Sequence, residues 1–316
     1  MKAIRFHQYG DTDVLRYEDV ALPQPAPGQV LIRVAGTSFN GVDGNIRAGN
    51  MQGPMPLILP HTPGLDVSGT VTELGDGVAR LQVGDDVVGF LPFVVDGAAA
   101  DYVVADAEGL AIAPTTIPLH DAAALPLVGL TAWQAVHEHA ALEAGQRILI
   151  NGASGAVGRY AVQLAAAAGA HVIATGDAEA REHLVALGAA QVVDHTSTDL
   201  RSAVETQVDV LLNLAPVTPE ELAELAGLVT DGGVVVNTTV WMPAPSDEAR
   251  GVRGIDMYVR SDAAQLAGLV DRVDRGELRV DVDERVTLAD LPSVHARAAS
   301  GQLRGKVVVT PADQAS

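Results

Sequence analysis

The segment Arg147–Thr175, RILINGASGAVGRYAVQLAAAAGAHVIAT, carries the strongest structural signal in the chain. An apolar run precedes a glycine-rich turn, and a second apolar run, HVIAT, closes the segment. Between them, small or apolar residues recur at helical spacing at Val157, Ala161, Leu164 and Ala168. Gly169 follows this pattern, at a position where helices commonly end. The order predicts a strand, a tight turn, an amphipathic helix and a second strand.

The spacing of small residues in the turn, Ala153-x-Gly155-x-x-Gly158, matches the dinucleotide-binding fingerprint with alanine in place of the first glycine. A side chain at Gly155 would fill the space in which a pyrophosphate approaches the backbone N–H groups at the helix N-terminus. Gly158 lets the helix pack closely against the strand. We therefore predict a phosphate cradle rather than a turn shaped by packing alone. Its cofactor-binding residues are Ala153, Ser154, Gly155, Ala156 and Val157.

Ser154 raises an alternative, because a serine between glycines is typical of a hydrolase nucleophile. That motif is G-x-S-x-G, whereas this chain reads Gly152-Ala153-Ser154-Gly155, with the second glycine one position early. Ser154 is better interpreted as a hydroxyl donor to a phosphate or as a helix cap.

The apolar runs of the first part of the chain are short and punctuated by glycine and proline, which indicates a strand-rich domain. These runs are Val30–Ala35, Val67–Glu73, Asp86–Leu91 and Ala100–Ala105. After Pro118, apolar strands alternate with helical segments, and this alternation predicts an α/β fold with a doubly wound parallel sheet and helices on both faces. The last part of the chain returns to the pattern of the strand-rich first part. We expect one domain over residues 1–120, completed by residues 261–316, and a nucleotide-binding domain over residues 121–260.

The composition excludes several classes of protein. The chain has 316 residues, 48% of them hydrophobic, no cysteine and a formal net charge of −20. The absence of cysteine removes disulfides, thiolate nucleophiles and cysteine-ligated metal sites. Because so acidic a chain repels phosphate backbones and anionic membranes, we expect no nucleic-acid partner. The chain also lacks a signal-peptide pattern and any charge-free apolar stretch of roughly 18 residues, so we predict a cytoplasmic protein with no membrane partner.

Several further motifs occur in a specific order along the chain. They are Asn40-Gly41-Val42-Asp43, Pro63-Gly64-Leu65-Asp66, Gly129-Leu130-Thr131-Ala132-Trp133, the glycine turn and Gly305-Lys306-Val307-Val308-Val309. In these motifs the chain resembles, over nearly its whole length, the zinc-independent quinone oxidoreductase (zeta-crystallin-like) branch of the medium-chain dehydrogenase/reductase superfamily. The resemblance implies a GroES-like β-rich catalytic domain made from both chain ends, a Rossmann domain between them, a nicotinamide in the cleft and a homodimer.

Zinc dehydrogenases of the same superfamily have a cysteine near Asn40 and a Gly-His-Glu motif near residues 64–66, and this chain has neither. His61 and the group His137-Glu138-His139 lack metal-binding spacing, so we interpret His61 as a packing or surface residue and the group as an exposed helix end. The sequence thus predicts no zinc. Without a Lewis acid, hydride transfer suits an acceptor that spreads the developing charge over a conjugated system, such as a quinone or an α,β-unsaturated carbonyl compound.

Asn40 and Asn45 are the candidate catalytic residues, as hydrogen-bond donors to the substrate or the nicotinamide. Some relatives carry a tyrosine near position 45, and an amide cannot supply a proton in its place. For Asn40 and Asp43, an alternative is open in which their side chains cap their own backbone. The resemblance also implies a set of residues that face the nicotinamide. These are Asn40, Thr131, Asn213, Leu214, Ala215, Thr238, Thr239 and Val240.

The choice between NADPH and NADH depends on the end of the second strand, where an NAD enzyme usually has an acidic residue. By the family pattern this position falls on Thr175, and a neutral residue there removes the repulsion of a 2′-phosphate. Arg181 is placed to pair with that phosphate, and the resemblance puts His195 near the adenosine. Asp177 is the competing signal, since it either reaches a ribose or caps the following helix, and we favour the cap. The sequence therefore favours NADPH over NADH.

Together these features predict an NADPH-dependent, zinc-free oxidoreductase that transfers hydride to a quinone or an α,β-unsaturated carbonyl compound. Two alternatives are open. The first is an NADPH-binding structural or regulatory protein without turnover. The second is a biosynthetic enoyl-thioester reductase or cyclase on the same scaffold.

Overall fold

The structure is a computed structural model that describes residues 1–239 and 241–311. The chain divides into two compact units. The first comprises Met1–Leu127 and Ser261–Ser316, and the second comprises Val128–Arg260. Both chain ends enter the first unit. Its inner boundary lies beyond residue 120, because the short helix Leu119–Ala124 packs against strands of the first unit.

The strands follow the apolar runs of the sequence closely. In chain order they are β1 (Lys2–Phe6), β2 (Leu15–Asp19), β3 (Gln29–Ser38), β4 (Asp66–Leu74), β5 (Asp86–Phe90), β6 (Tyr102–Asp106), β7 (Leu110–Ile112), β8 (Arg147–Asn151), β9 (His171–Gly176), β10 (Gln191–Asp194), β11 (Val208–Asn213), β12 (Val229–Asn237), β13 (Arg253–Asp256), β14 (Glu284–Thr287) and β15 (Val307–Thr310). The four runs predicted as strands in the first part of the chain lie in β3, β4, β5 and β6, so these predictions are confirmed.

The α-helices are mostly short. They are α1 (Gly41–Ala48), α2 (Pro126–Trp133), α3 (Ala156–Ala167), α4 (Arg181–Ala186), α5 (Leu200–Ala203), α6 (Pro219–Ala226), α7 (Ala263–Asp274) and α8 (Leu291–Ala299). The α2 helix continues into a π-helical segment, Gln134–His139. Among the described residues, no helix has both the length and the apolar character that a membrane crossing requires.

The first unit is built on a largely antiparallel sheet with strand order β14-β15-β3-β4-β5-β7, in which β6 also pairs with β3. Alternate side chains of these strands form one buried apolar core, which includes Val30, Ile32, Val67, Val71, Val87 and Val103. At the far end of the chain, β15 pairs with the end of β3, with Val308 opposite Ser38. This pairing brings the start of β15 next to the segment that leads into α1.

The second unit is built on a parallel sheet with strand order β10-β9-β8-β11-β12-β13. Counted within the unit, this is the 3-2-1-4-5-6 order of a Rossmann fold. Buried apolar side chains line the strands, among them Leu149, Ile173, Leu211 and Val235. The strands run in one direction, so the carboxyl ends of β8, β9, β11 and β12 meet at a single edge of the sheet. The predicted α/β fold is confirmed.

Candidate functional site

The glycine turn joins the end of β8 to the start of α3. Gly152 has a φ of +86°, a conformation that favours glycine, and it therefore makes the tight turn. A Cβ atom on Gly158 would lie 2.4 Å from the carbonyl oxygen of Gly152, so α3 packs this closely only with glycine there. A Cβ atom on Gly155 would contact only the same oxygen, at 3.3 Å. Gly155 is exposed on the open side of the turn. Its lack of a side chain therefore leaves space on that side and is not required for packing.

The α3 helix begins without a side-chain cap. Its N-cap residue is Gly155, which has no side chain to accept hydrogen bonds from the first N–H groups of the helix. The N-cap is therefore not Ser154, and the interpretation that survives for Ser154 is a hydroxyl donor to a phosphate. Ser154, Ala156 and Val157 are half-buried around the helix start, and Ala153 is buried beneath it. Uncapped N–H groups and the positive end of the helix dipole fit a pyrophosphate at this position.

Thr175 lies near the end of β9 but faces the glycine turn. Its hydroxyl donates to Asn151 Oδ1 at 3.1 Å and accepts from the backbone N–H of Gly152 at 2.9 Å. The residue is only 2% exposed. Thr175 therefore holds the turn in place. The last residue of β9 is Gly176, so the strand also ends without a charged side chain.

The other residues predicted for the adenosine end lie close to the ends of β9 and β10. Arg181 is the first residue of α4 and is exposed, and His195 follows β10 and is also exposed. The carboxylate of Asp177 accepts from the backbone N–H of Ala180 at 2.9 Å. Ala180 is itself the N-cap of α4, so Asp177 caps the turn that leads into the helix rather than the helix. Our prediction of a helix cap is wrong in this detail.

The predicted nicotinamide-facing residues of the second unit lie at the same sheet edge as the glycine turn. The backbone N–H of Leu214 donates to the carbonyl oxygen of Asn151 at 2.9 Å. Ala215 lies beside the turn, since a Cβ atom on Gly152 would come within 3.1 Å of its backbone nitrogen. The structure thus brings the turn together with the predicted residues at the end of β11 and just after β11 and β12, namely Asn213, Leu214, Ala215, Thr238 and Thr239.

The structure does not link three further predicted residues to a cofactor site. Thr131 is buried in α2, with 7% of its surface exposed. Asn45 is half-buried in α1, where its Oδ1 atom accepts from Asn50 Nδ2 at 3.2 Å. Val240 lies outside the described residues. The roles of these residues toward a cofactor stay predictions.

Asn40 belongs to a buried polar cluster of the first unit. We call this group the Lys306 cluster, and its members are Ser38, Asn40, Asp43, Asp66 and Lys306. Asn40 Nδ2 donates to Asp66 Oδ2 at 2.8 Å, and Lys306 Nζ donates to Asn40 Oδ1 at 2.7 Å. Lys306 Nζ also lies 3.5 Å from Asp66 Oδ2. Both the Nδ2 and the Oδ1 atom of Asn40 therefore form hydrogen bonds within the protein.

Asp66 is the centre of this cluster. Besides Asn40 and Lys306, its Oδ2 atom accepts from the hydroxyl of Ser38. Its Oδ1 atom accepts from the backbone N–H of Leu127 at 2.7 Å. Because Leu127 lies in the first turn of α2, the Asp66 carboxylate also caps that helix. One buried carboxylate thus connects the end of β3, the start of α1, the start of β15 and the start of α2.

Asp43 caps α1. Its carboxylate accepts from the backbone N–H of Asn40 at 2.8 Å, which confirms the backbone-capping alternative for Asp43. Burial, together with the neighbouring charge of Asp66, raises the pKa of Asp43 to about 7, against the opposing effect of the hydrogen bond from Asn40. Burial also lowers the pKa of Lys306, against the attraction of Asp66 and Asp43. Both shifts have the same cause, because burial away from water disfavours the charged form of each group.

Two of the histidines singled out in the sequence pack against aromatic rings. His61 is 3% exposed and packs edge-on against Phe6 with ring centroids 5.4 Å apart, which confirms the packing interpretation. His137 is half-buried against Trp133 with ring centroids 4.2 Å apart. The prediction of an exposed helix end is therefore wrong for His137, because the π-helical segment turns its ring onto the indole. Within residues 1–239 and 241–311, no group of three or more His, Asp or Glu side chains is placed to hold a metal ion.

Comparison with known proteins agrees with this architecture. An alcohol dehydrogenase GroES-like domain model matches residues 26–115, and a zinc-binding dehydrogenase model matches residues 187–309. The chloroplast envelope quinone oxidoreductase homolog of Arabidopsis thaliana is 31% identical, over 98% of this chain and 98% of its own. The mitochondrial NAD(P)H oxidoreductase RTN4IP1 of Mus musculus is 30% identical, over 98% of this chain and 89% of its own.

A solved structure shows the same likeness in three dimensions. The quinone oxidoreductase from Coxiella burnetii superposes with a TM-score of 0.88 at 29% identity, covering 98% of this chain and 99% of its own. A GroES-like unit made from both chain ends and a Rossmann-ordered sheet are the two parts of a medium-chain dehydrogenase/reductase. Within that superfamily the chain belongs to the quinone oxidoreductase family of enzymes. The predicted family is confirmed.

Sequence reasoning missed two groups of residues at these sites. Asp66 and Lys306 lie in motifs that the resemblance rests on, yet nothing in either motif indicates that the two side chains meet. The second group is Asn151 and Asn237, whose side chains are buried at the sheet edge. A signal for them was present, because three apolar runs, ILIN, VLLN and VVVN, each end in asparagine.

Proposed function

We propose that this protein is an NADPH-dependent, zinc-free oxidoreductase that transfers hydride to a quinone or an α,β-unsaturated carbonyl compound. The observation that carries the proposal is the uncapped N-terminus of α3 behind the glycine turn, at the carboxyl edge of a Rossmann-ordered sheet. The relatives named quinone oxidoreductase and NAD(P)H oxidoreductase support the acceptor and the nicotinamide cofactor.

The residues of the second unit would hold a nicotinamide dinucleotide at two places. The glycine turn and the first N–H groups of α3, at Ala156 and Val157, would bind the pyrophosphate. The loops after β11 and β12, with Ala215, Thr238 and Thr239, would bind the nicotinamide end. The bound cofactor supplies a hydride from C4 of its nicotinamide. The protein's own tasks are to orient that ring against the acceptor and to exclude water.

The side chains available in this chain favour an acceptor that spreads the developing negative charge. A zinc dehydrogenase stabilises charge on a single oxygen with a Lewis acid. The side chains of this chain do not fit a zinc ion, because cysteine is absent and no three of the described His, Asp and Glu side chains are placed to hold a metal ion together. A quinone or an enone spreads the charge, so hydrogen-bond donors suffice. Asn40 and Asn45 are the proposed donors. Besides its short bond to Asp66, Asn40 Nδ2 makes only a long contact, at 3.5 Å, with the carbonyl oxygen of Ser38.

The end of β9 favours NADPH. Thr175 and Gly176 are neutral, so neither of the last two residues of the strand repels a 2′-phosphate. The carboxylate of Asp177 accepts from the backbone N–H of Ala180, which draws it toward the turn before α4. Arg181 is exposed at the start of that helix and supplies the positive charge for a 2′-phosphate.

The proposal includes a homodimer, and the edge of the parallel sheet supports it. β13 is the outermost strand and pairs with β12 alone among the described strands. Near its carboxyl end, Trp241 and Tyr258 are 65% and 63% exposed. Large exposed aromatic side chains beside an edge strand are typical of a surface that pairs with another chain. Sedimentation velocity of the purified protein measures its oligomeric state. A cytoplasmic location stays a prediction from the sequence.

One experiment tests the function. The protein is incubated with NADPH or NADH and a panel of quinones, enones and enoyl thioesters, and absorbance near 340 nm is followed with and without EDTA. We expect NADPH oxidation that requires a quinone or enone and persists in EDTA. Loss of activity in EDTA with recovery on adding zinc would overturn the zinc-free mechanism. Reduction of enoyl thioesters alone would support the biosynthetic alternative, and tight binding without turnover would support a binding protein.

A further inference from the structure

Three buried asparagines end three neighbouring strands of the second unit. They are Asn151 in β8, Asn213 in β11 and Asn237 in β12, and we call them the asparagine row. The strand register places Asn213 opposite Asn151 on one side and opposite Asn237 on the other. In the same order along the sheet, they are 6%, 0% and 1% exposed. Three amides in register at one sheet edge therefore share one buried layer.

The side chains of the asparagine row are hydrogen-bonded in a single direction. Asn151 Nδ2 donates to Asn213 Oδ1 at 2.9 Å, and Asn213 Nδ2 donates to Asn237 Oδ1 at 2.9 Å. The chain of bonds continues at both ends. The hydroxyl of Thr175 donates to Asn151 Oδ1 at 3.1 Å, and Asn237 Nδ2 donates to the carbonyl oxygen of Met242 at 2.7 Å. Each amide thus accepts on one side and donates on the other.

The groups at the two ends fix this direction. The backbone N–H of Gly152, which can only donate, donates to Thr175 Oγ1 at 2.9 Å. The carbonyl oxygen of Met242 at the other end can only accept. Reversing any amide would oppose two donors or two acceptors, and in a buried layer such unpaired groups are costly. The row therefore has one satisfied arrangement, and each bond in it supports the next.

The row connects the two halves of the proposed dinucleotide site. Gly152 opens the turn proposed for the pyrophosphate. Thr239, whose hydroxyl donates to Asn237 Oδ1 at 2.7 Å, lies in the loop proposed for the nicotinamide. Asn213 is the middle member, and its Nδ2 atom also donates to the carbonyl oxygen of Ala215 at 3.2 Å. If Asn213 loses its side-chain amide, each half keeps its own local bonds but the link between them is broken.

We propose that Asn213 is a positioning residue that sets the spacing between the pyrophosphate turn and the loop after β12, so that one dinucleotide is bound at both ends. This inference rests on the proposed function. Asn213 is fully buried and its amide is engaged by protein atoms, so it acts through its neighbours rather than by touching the cofactor. When one ligand occupies two subsites, its gain in affinity over a ligand of one subsite depends on how well the distance between the subsites matches the ligand. Breaking the link lowers that gain more than it lowers the affinity of either half.

The test compares NADPH with 2′,5′-ADP, which carries only the adenosine half. Calorimetry gives the dissociation constants of both ligands for wild type and for Asn213→Leu, which removes the amide at similar size. We expect 2′,5′-ADP to bind within about twofold of wild type and NADPH to bind about tenfold more weakly. The fluorescence enhancement of bound NADPH should fall as well, because it reports the surroundings of the nicotinamide. In turnover, kcat should fall by a larger factor than the KM for the quinone or enone acceptor rises.

A second variant tests the direction of the bonds. In Asn213→Asp, an ionised carboxylate accepts from Asn151 but faces the Oδ1 atom of Asn237, whereas a protonated carboxyl restores both bonds. The ratio of NADPH affinity to 2′,5′-ADP affinity, relative to wild type, should therefore recover as pH falls from about 8 to about 5.5. A variant that is merely destabilised would show no such recovery.

The matched control is Gln191→Leu. Gln191 lies in β10 of the same sheet and donates to the carbonyl oxygen of Ala203 at 3.0 Å, outside the asparagine row. This variant should bind both ligands like wild type. Equal weakening of NADPH and 2′,5′-ADP in Asn213→Leu, or no weakening of either, would overturn the positioning role. If the wild type binds both ligands but reduces no acceptor, the proposed oxidoreductase function is overturned. The comparison of NADPH with 2′,5′-ADP binding still tests the role of Asn213 in that case. A wild type that binds neither ligand would overturn both proposals.

Discussion

The Nζ atom of Lys306 lies 2.7 Å from the Oδ1 atom of Asn40, although the two residues are 266 positions apart in the chain. Lys306 also approaches Asp66, at 3.5 Å, and both side chains are almost completely buried. Removing one partner of a buried ion pair leaves the other charge without compensation, which typically costs about 3–5 kcal/mol. The contact between the chain ends therefore contributes strongly to the stability of the first unit.

The first prediction concerns this contact. Lys306→Met should lower the free energy of unfolding by about 3–5 kcal/mol in urea titrations, because the charge of Asp66 would then be buried without a cation. Lys2 is the only other lysine of the chain, and its ion pair with Asp19 is exposed to solvent, so Lys2→Met is the matched control with little expected loss. Equal effects of the two substitutions would contradict the role of Lys306.

The second prediction is a pH dependence of stability through Asp43. Burial raises the pKa of this carboxyl to about 7 from an ordinary value of 3.8, so between these pH values the folded state binds more protons than the unfolded state. The corresponding stability is present below about pH 4 and is lost as pH rises through about 7. Asp43→Asn removes the titrating group. From pH ~4 to pH ~7 the unfolding free energy of wild type should fall more steeply than that of the variant, and parallel profiles would count against the shifted carboxyl.

The third prediction concerns His295 in α8. The ring is 2% exposed, packs edge-on against Phe39 at 4.8 Å, and neither ring nitrogen has a hydrogen-bond partner among the described residues. Burial, and then the charge of Arg47, lowers the pKa of His295 to about 3. The folded pKa lies below the unfolded one, so stability is present above about pH 6.5 and is lost as pH falls toward 3.

His295→Phe keeps the ring and removes both unpaired nitrogens. It should raise the free energy of unfolding by about 1–2 kcal/mol at neutral pH, because buried polar groups without partners are costly. The gain should increase at pH ~5, where the unfolded wild type takes up a proton that the folded state does not. Thermal unfolding across this pH range measures both effects, and a variant less stable than wild type at every pH would refute the prediction.

The fourth prediction separates two glycines of the same turn. Gly155→Ala adds a methyl group that meets only one protein atom, at 3.3 Å, so stability should hardly change while NADPH binds about tenfold more weakly. Gly158→Ala puts a methyl group 2.4 Å from the carbonyl oxygen of Gly152 and should destabilise the fold by about 1–3 kcal/mol. Calorimetry and thermal unfolding of both variants give the comparison. If Gly155→Ala kept full NADPH affinity, the open side of the turn would not be the phosphate site.

The fifth prediction concerns cofactor preference. Arg181→Ala should weaken NADPH binding by about tenfold or more and leave NADH binding nearly unchanged, because only NADPH carries the 2′-phosphate. Arg201→Ala, in α5 of the same unit and also exposed, is the matched control. Equal losses for NADPH and NADH in Arg181→Ala would remove Arg181 from the proposed phosphate site.

The chain order of apolar runs, glycines and helical patterns determined the fold class and the position of the phosphate turn. These features are local: Gly152, Gly155 and Gly158 act within a few residues of one another, so their spacing is readable without a structure. The strands of the first unit were equally readable from short apolar runs between glycine and proline.

The tertiary structure decided which distant side chains meet. Thr175 was correctly placed at the end of β9, but only the fold showed that its hydroxyl faces Asn151 and the turn instead of the loop before α4. Asn40 was predicted as a donor to ligand, and its meeting with Lys306 depends on β15 returning to pair with β3. The asparagines that end β8, β11 and β12 form a row only because the sheet register aligns them. Sequence patterns report periodicity along the chain, whereas side-chain hydrogen bonds between strands depend on register and burial, which the folded sheet alone defines.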